Sequence, residues 1–169
     1  DGTAAIVEFP GVLYRGAAEA KIRQYLVENN YVDAVIQLPP DLFFGTTIGT
    51  CVIVLKKSKQ DNSVLFVDAS KQFVREGNKN KLSAENQEMI LETLTKREDI
   101  DHVAALVNAE AIRATDFDLS VRSYVEAEDT REEVDIVELN ARIKEIVERQ
   151  AVLRASIDEI VADLEGGAR

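Results

Sequence analysis

The order of apolar and polar positions divides the chain into a first part of short strands and helices and a last part that is one long helix. Thr3 to Phe9 is a short apolar run stopped by Pro10-Gly11, a turn pair, and is expected to be a buried strand. Ala17 to Asn29 then places Ala18, Ile22, Tyr25 and Leu26 at helical spacing, with Lys21, Arg23 and Glu28 elsewhere, which predicts an amphipathic helix. Val32 to Leu38 reads as a second strand ending at Pro39-Pro40, so the three segments form a βαβ-like unit of a parallel or mixed sheet. An aromatic-bearing loop, Asp41 to Thr47, leads into a β-branched strand from Ile48 to Leu55. Polar residues 56–62 close that strand, and Val64 to Val67 begins another, a spacing that predicts an antiparallel hairpin at the sheet edge.

Beyond the hairpin, Lys71 to Lys81 is polar and basic around Gly77 and is expected to be an exposed loop. Ser83 is placed to cap a helix, with Glu85 favourable in its first turn and Met89, Ile90 and Leu94 on its buried face. Residues 100–125 are less regular, with an apolar patch from Val103 to Val107 and a helical turn near Ala109 to Arg113. From Leu139 onward, Leu139, Ile143, Ile146, Gln150, Leu153, Ile157, Ile160 and Leu164 alternate steps of four and three. That is a heptad repeat broken once, at Gln150. Val134, Ile136, Val137, Val147, Val152 and Val161 widen the apolar stripe, which favours a small helical bundle over a two-stranded coil. Gly166-Gly167 is expected to end the helix. The organisation expected is therefore residues 1–82 as an α/β sheet, 83–130 as a connecting region, and 131–165 as a coiled-coil-like helix for subunit contact.

Charge sharpens this division. The net charge is −11, yet residues 1–82 carry ten Lys/Arg against nine Asp/Glu, while 83–169 carry ten against twenty-two. The acidic second part repels phosphate and is better suited to a protein partner than to nucleic acid. In the first part, Lys71, Arg75, Lys79 and Lys81 could touch DNA phosphate or simply be solvated. The single cysteine, Cys51, supports neither a disulfide framework nor a thiolate metal cluster, and a reducing, cytoplasmic setting fits it. No apolar run approaches the length of a membrane span and no targeting segment is visible, so a membrane role is not expected.

Candidate chemistry is sparse. Leu38-Pro39-Pro40-Asp41 has the outline of the amino-methyltransferase tetrapeptide, in which an Asp or Asn precedes two prolines and an aromatic. Leu38 cannot accept a hydrogen bond from an amine, so the segment reads as a strand-ending turn. No glycine-rich nucleotide loop is present. The one histidine, His102, lies among Glu98, Asp99 and Asp101 and reads as a solvated residue. Phe43 and Phe44 have two readings, a stacking face for an extruded base or ordinary loop packing.

Several of these segments together resemble a known family. Ala4 to Val7 through Pro10-Gly11-Val12-Leu13-Tyr14-Arg15-Gly16, Lys21-Ile22-Arg23, Val35 to Thr46, Cys51 to Leu55, Val64 to Ser70 and Asn78 to Leu82 are similar to the late part of the adenine-N6 DNA methyltransferase subunit of type I restriction-modification systems. The resemblance fades after about Tyr124, and Leu38 to Leu55 is its most specific run. It implies the closing strands of a Rossmann-like sheet, mixed and with an antiparallel pair at the edge, followed by a helical tail. The implied reaction passes a methyl group in line from S-adenosylmethionine to N6 of a flipped adenine in DNA. The family's cofactor loop and Asn-Pro-Pro-Phe tetrapeptide do not occur in these residues, so the chain alone is expected to bind no cofactor, to contain no catalytic residue and to be inactive. Phe43, or failing that Phe44, is implied as an aromatic wall beside the flipped base. The helix carrying Leu139, Ile143, Ile146, Leu153, Ile157, Ile160 and Leu164 is implied to meet the specificity subunit of a complex that also holds a restriction subunit. A second copy of this chain could also occupy it. The competing reading is a protein-interaction module with a dimerising helix and no enzymatic descent.

Overall fold

A computed structural model describes residues 2–128 and 136–166. They form two compact units, 1–128 and 129–169, each taken by itself below. In chain order the first unit contains β1 (Thr3–Glu8), a 3-10 turn (Pro10–Leu13), α1 (Ala18–Glu28), β2 (Val32–Gln37), β3 (Cys51–Lys56), β4 (Ser63–Asp68), β5 (Val74–Glu76), β6 (Lys79–Lys81), α2 (Ala84–Lys96), β7 (Ala104–Asn108), α3 (Ala109–Ala114) and a second 3-10 turn (Val121–Ser123).

The main sheet has the order β1-β3-β2-β4-β7. Here the hairpin expectation fails. β3 does not pair with β4 but runs antiparallel between β1 and β2, with Val54 opposite Ala5 on one side and Ala34 on the other. β4 instead lies parallel to β2, and β7 closes that edge antiparallel to β4. The sheet is mixed, as expected, with antiparallel pairs at both edges. β1 and β2, joined by α1, point the same way but are separated by β3.

Alternation in the strands divides the core into two layers. Val64 and Phe66 of β4 face one side with Val35, Cys51, Leu13 and Ile112, whereas Leu65 and Val67 face the other with Ala34, Ile36 and Ile90 of α2. α1 and α3 therefore cover one face and α2 the other. Val32 shares a layer with Val35, not with Ala34, because the pairing register shifts between Val32 and Ala34 and the extra residue reverses the alternation. Phe66 stacks on Tyr124 with ring centroids 4.2 Å apart, which brings the end of the unit back over the sheet.

Three further expectations change. β1 forms, but all six of its residues are exposed, because among the described residues only β3 pairs with it. α1 turns a different face inward: Ile22 and Tyr25 lie on the surface, while Arg23 and Val27 are buried. The basic segment read as a loop contains the β5-β6 hairpin, with Gly77 at positive φ (61°) in its two-residue turn, a conformation that glycine adopts without a steric penalty. α2 starts as expected. Ser83 accepts from the Asn86 amide, and Asn86 returns a bond to the Ser83 amide in a capping box.

In the second unit, α4 (Ile136–Gly166) is a single helix of 31 residues. Its apolar positions from Leu139 to Leu164 are all exposed. Val134 and Gly167 lie outside the described residues. No helix among them is long and apolar enough to cross a membrane.

Candidate functional site: an aromatic loop beyond the sheet

β2 ends at Gln37, and the chain does not re-enter the sheet until Cys51. Two prolines dictate that exit, since neither can donate to a ladder. Leu38 and Pro39 are buried, so the Leu-Pro-Pro-Asp segment is the strand-ending turn that its sequence indicates. The neck of the loop is closed by backbone and side chain together. Leu38 N donates to Thr50 O at 2.8 Å, while the Gln37 carboxamide donates to Thr50 O at 3.1 Å and Leu38 O at 3.3 Å. Gly49 fits against this neck closely, because a Cβ there would meet Leu38 O at 3.1 Å.

The middle of the loop carries Phe43 and Phe44. Phe44 is fully exposed and Phe43 is 42% exposed. Two backbone positions around them are left-handed, Asp41 at φ 57° and Gly45 at φ 82°. The first is costly for a residue with a Cβ unless its surroundings hold it. They do: the Asp41 carbonyl accepts from Asn80 N at 3.1 Å and its carboxylate lies 3.5 Å from the Arg75 guanidinium. The Asn80 side chain, in a residue only 6% exposed, donates to Pro40 O at 2.8 Å and accepts from Arg75 at 3.0 Å. Lys79 Nζ reaches Phe43 O at 3.1 Å and Thr46 O at 3.4 Å. Sequence reading missed Asn80 and Asp41. The signal was the two-residue Gly77-Asn78 turn, hidden because its flanks alternate polar with polar.

The four basic residues singled out from the sequence thus have protein partners. Arg75 and Lys79 hold the aromatic loop, whereas among the described residues Lys71 and Lys81 make surface ion pairs, with Glu128 at 3.5 Å and Glu76 at 3.0 Å. His102 is exposed, its Nδ1 3.0 Å from Glu126 O. Cys51 is fully buried; burial pushes its thiol up to about 11 from 9.0 and the Glu8 carboxylate adds to this, so it stays a neutral thiol at physiological pH.

Beside the loop, a cavity of about 370 Å³ opens at the carboxyl ends of the parallel strands, lined by Tyr14, Gln37, Gly49, Asp68, Ser70 and Arg122 among others. This is the side on which open α/β sheets carry their ligands. The loop beyond β1 that supplies Tyr14 is itself anchored: Arg23 donates to Val12 O at 2.9 Å, Arg15 O at 2.7 Å and Phe117 O at 2.9 Å.

A mixed sheet with an antiparallel strand inserted between two parallel ones, helices on both faces and a loop of aromatics past the strand ends is the closing part of a Rossmann-like methyltransferase sheet. Residues 1–133 match the N-6 DNA methylase family, and the chain belongs to it. The chain is 46% identical over 165 residues to the type I restriction enzyme MpnII methylase subunit of Mycoplasma pneumoniae, covering 97% of this chain and 30% of the relative. It is 32% identical over 167 residues to the type I restriction enzyme MjaVII methylase subunit of Methanocaldococcus jannaschii, covering 95% of this chain and 28% of that one. Among solved structures, the methyltransferase subunit of a type I restriction-modification system from Streptococcus thermophilus superposes with a TM-score of 0.72 at 44% identity, over 74% of this chain and 27% of that one. The chain thus spans about 30% of the length of the curated relatives it matches.

Proposed function

We propose that this chain is the closing segment of the methylation subunit of a type I restriction-modification system. The full-length subunit transfers a methyl group from S-adenosylmethionine to N6 of adenine in DNA. Family membership supports the class of reaction. The observation that carries the role of this segment is the fully exposed Phe44 on a loop fixed at its neck and middle. An apolar ring held in water on an ordered loop loses nothing structural by stacking on an extruded base, and such stacking is worth about 1–3 kcal/mol. Phe43, more enclosed, borders the same position. The exposed ion pairs of Lys71 and Lys81 cost little to exchange for DNA phosphate.

The residues of this chain do not fit the cofactor. Among the described residues no glycine cradle opens toward a ligand: Gly49 packs on its own loop neck and Gly11 on the Arg15 side chain. The cofactor loop and the tetrapeptide that holds the target amine therefore belong to the remainder of a longer subunit, and residues 1–169 alone are inactive. The unpaired edge of β1, with Ile6, Ile22, Leu26, Ile53 and Leu55 around an open apolar groove, is the surface on which that remainder would continue the sheet. The exposed heptad face of α4 suits a helical partner, taken here as the specificity subunit, with the restriction subunit completing a cytoplasmic complex on DNA. Family membership leaves the competing idea of an interaction module without enzymatic descent unsupported.

The test is methyl transfer by the full-length subunit assembled with its specificity subunit. Phe44→Ala should lower the rate about tenfold or more with cofactor affinity unchanged, and Phe43→Ala should lower it less. Full activity in the double variant would remove the stacking role.

A further inference from the structure

The β5-β6 hairpin has no evident reason to be ordered on its own account. Its strands are three residues each, Val74, Arg75 and Glu76 are exposed, and it forms a separate two-stranded sheet. Such a ribbon is marginal in water by itself. What it does have is a set of bonds to the 38–50 loop that involves three of its six strand residues. Asn80 binds Pro40 O through its side chain and Asp41 O through its amide. Arg75 is fixed by Asn80 and faces the Asp41 carboxylate. Lys79 spans the loop between Phe43 O and Thr46 O.

These bonds fall on the part of the loop that is not held by its neck and that includes both left-handed positions, Asp41 and Gly45. The core contributes little there: only Leu42, partly buried, packs against the apolar layer under α2. We infer that the hairpin is a clamp that sets the conformation of the aromatic loop, with Lys79 and Asn80 as positioning residues for Phe43 and Phe44. The clamp goes beyond the stacking role proposed above and uses it only for its consequence. Ordering the loop before DNA arrives removes that entropy cost from the binding step. It also gives Lys79 a different job from a phosphate contact: its ammonium donates to carbonyls of its own chain.

Lys79→Met in the full-length subunit assembled with its specificity subunit tests this, because Lys79 is half-buried but belongs to neither apolar core layer, so its loss leaves the core intact. Asn80→Ala is the second variant and Lys79→Arg the rescue. The first readout is the rate of chymotrypsin cleavage after Phe43 and Phe44, with the sites assigned by fragment mass. Where reclosing is fast, cleavage follows the population of the opened loop. Loss of one charge-assisted pair should raise that rate about tenfold in Lys79→Met, at least as much in Asn80→Ala, and little in Lys79→Arg. Methyl transfer should fall in the same order, while the salt dependence of DNA binding stays unchanged.

Unchanged cleavage in both Lys79→Met and Asn80→Ala would overturn the clamp. So would unchanged cleavage with a salt slope reduced by about one, which marks a lost phosphate contact. Faster cleavage with unaltered methyl transfer would support the clamp and count against base stacking, so the two readings fail separately.

Discussion

The Arg23 guanidinium, in a residue only 5% exposed, donates to three carbonyls of two different loops. Burial draws its pKa down, opposed by Asp118, Asp116 and Glu19. Removing it strands those carbonyls and releases Asp116 and Phe117, both at positive φ. Arg23→Met should therefore cost about 3 kcal/mol or more in urea denaturation, against the near-neutral result expected if Arg23 were the surface residue that the amphipathic pattern of α1 implies. Residues like this are hard to read from a sequence, because an arginine on the polar side of a helical wheel looks solvated until loops close over it. Phe43 and Phe44 were legible as candidates because the family resemblance places an aromatic wall in that loop, whereas the residues alone left stacking and loop packing both open. Which one is free was not, since that depends on how Lys79 and Asn80 pull the backbone round.

At the scale of elements, the helices and most strands follow the apolar pattern, including the Ser83 cap and the whole of α4. Strand order does not. Proximity in sequence favours pairing β3 with β4, and the six polar residues between them, 57–62, satisfy a hairpin equally well. One physical clue was present: Cys51 to Leu55 is apolar at every position, which suits a strand covered on both faces more than one at an edge. The β5-β6 hairpin was hidden for the opposite reason, since it buries almost nothing and is stabilised by polar contacts with a loop far away in sequence. α4 makes a prediction of its own. Replacing Leu153 and Ile157 with Asp puts two charges on its exposed apolar face, where both side chains are 58% exposed. Capture of the full-length subunit by the specificity subunit should fall at least a hundredfold, with the melting of residues 1–128 unaltered. Undiminished capture would show that this face has another use.

For the whole molecule, the family was legible before the structure because the run from Leu38 to Leu55 combines a strand exit, an aromatic loop and a strand in one block. The cavity beside that loop was not, because Tyr14, Gln37, Asp68 and Arg122 come from four separate segments. As proposed, the aromatic loop is one wall of an adenine-methylating site completed by the rest of a longer subunit. The measurement that tests this most directly is nucleoside mass spectrometry of DNA incubated with S-adenosylmethionine, the full-length subunit and its specificity subunit. N6-methyladenine as the sole new nucleoside, absent when residues 1–169 are used alone, is the predicted result. Methylated cytosine, or methylation by residues 1–169 alone, would contradict it.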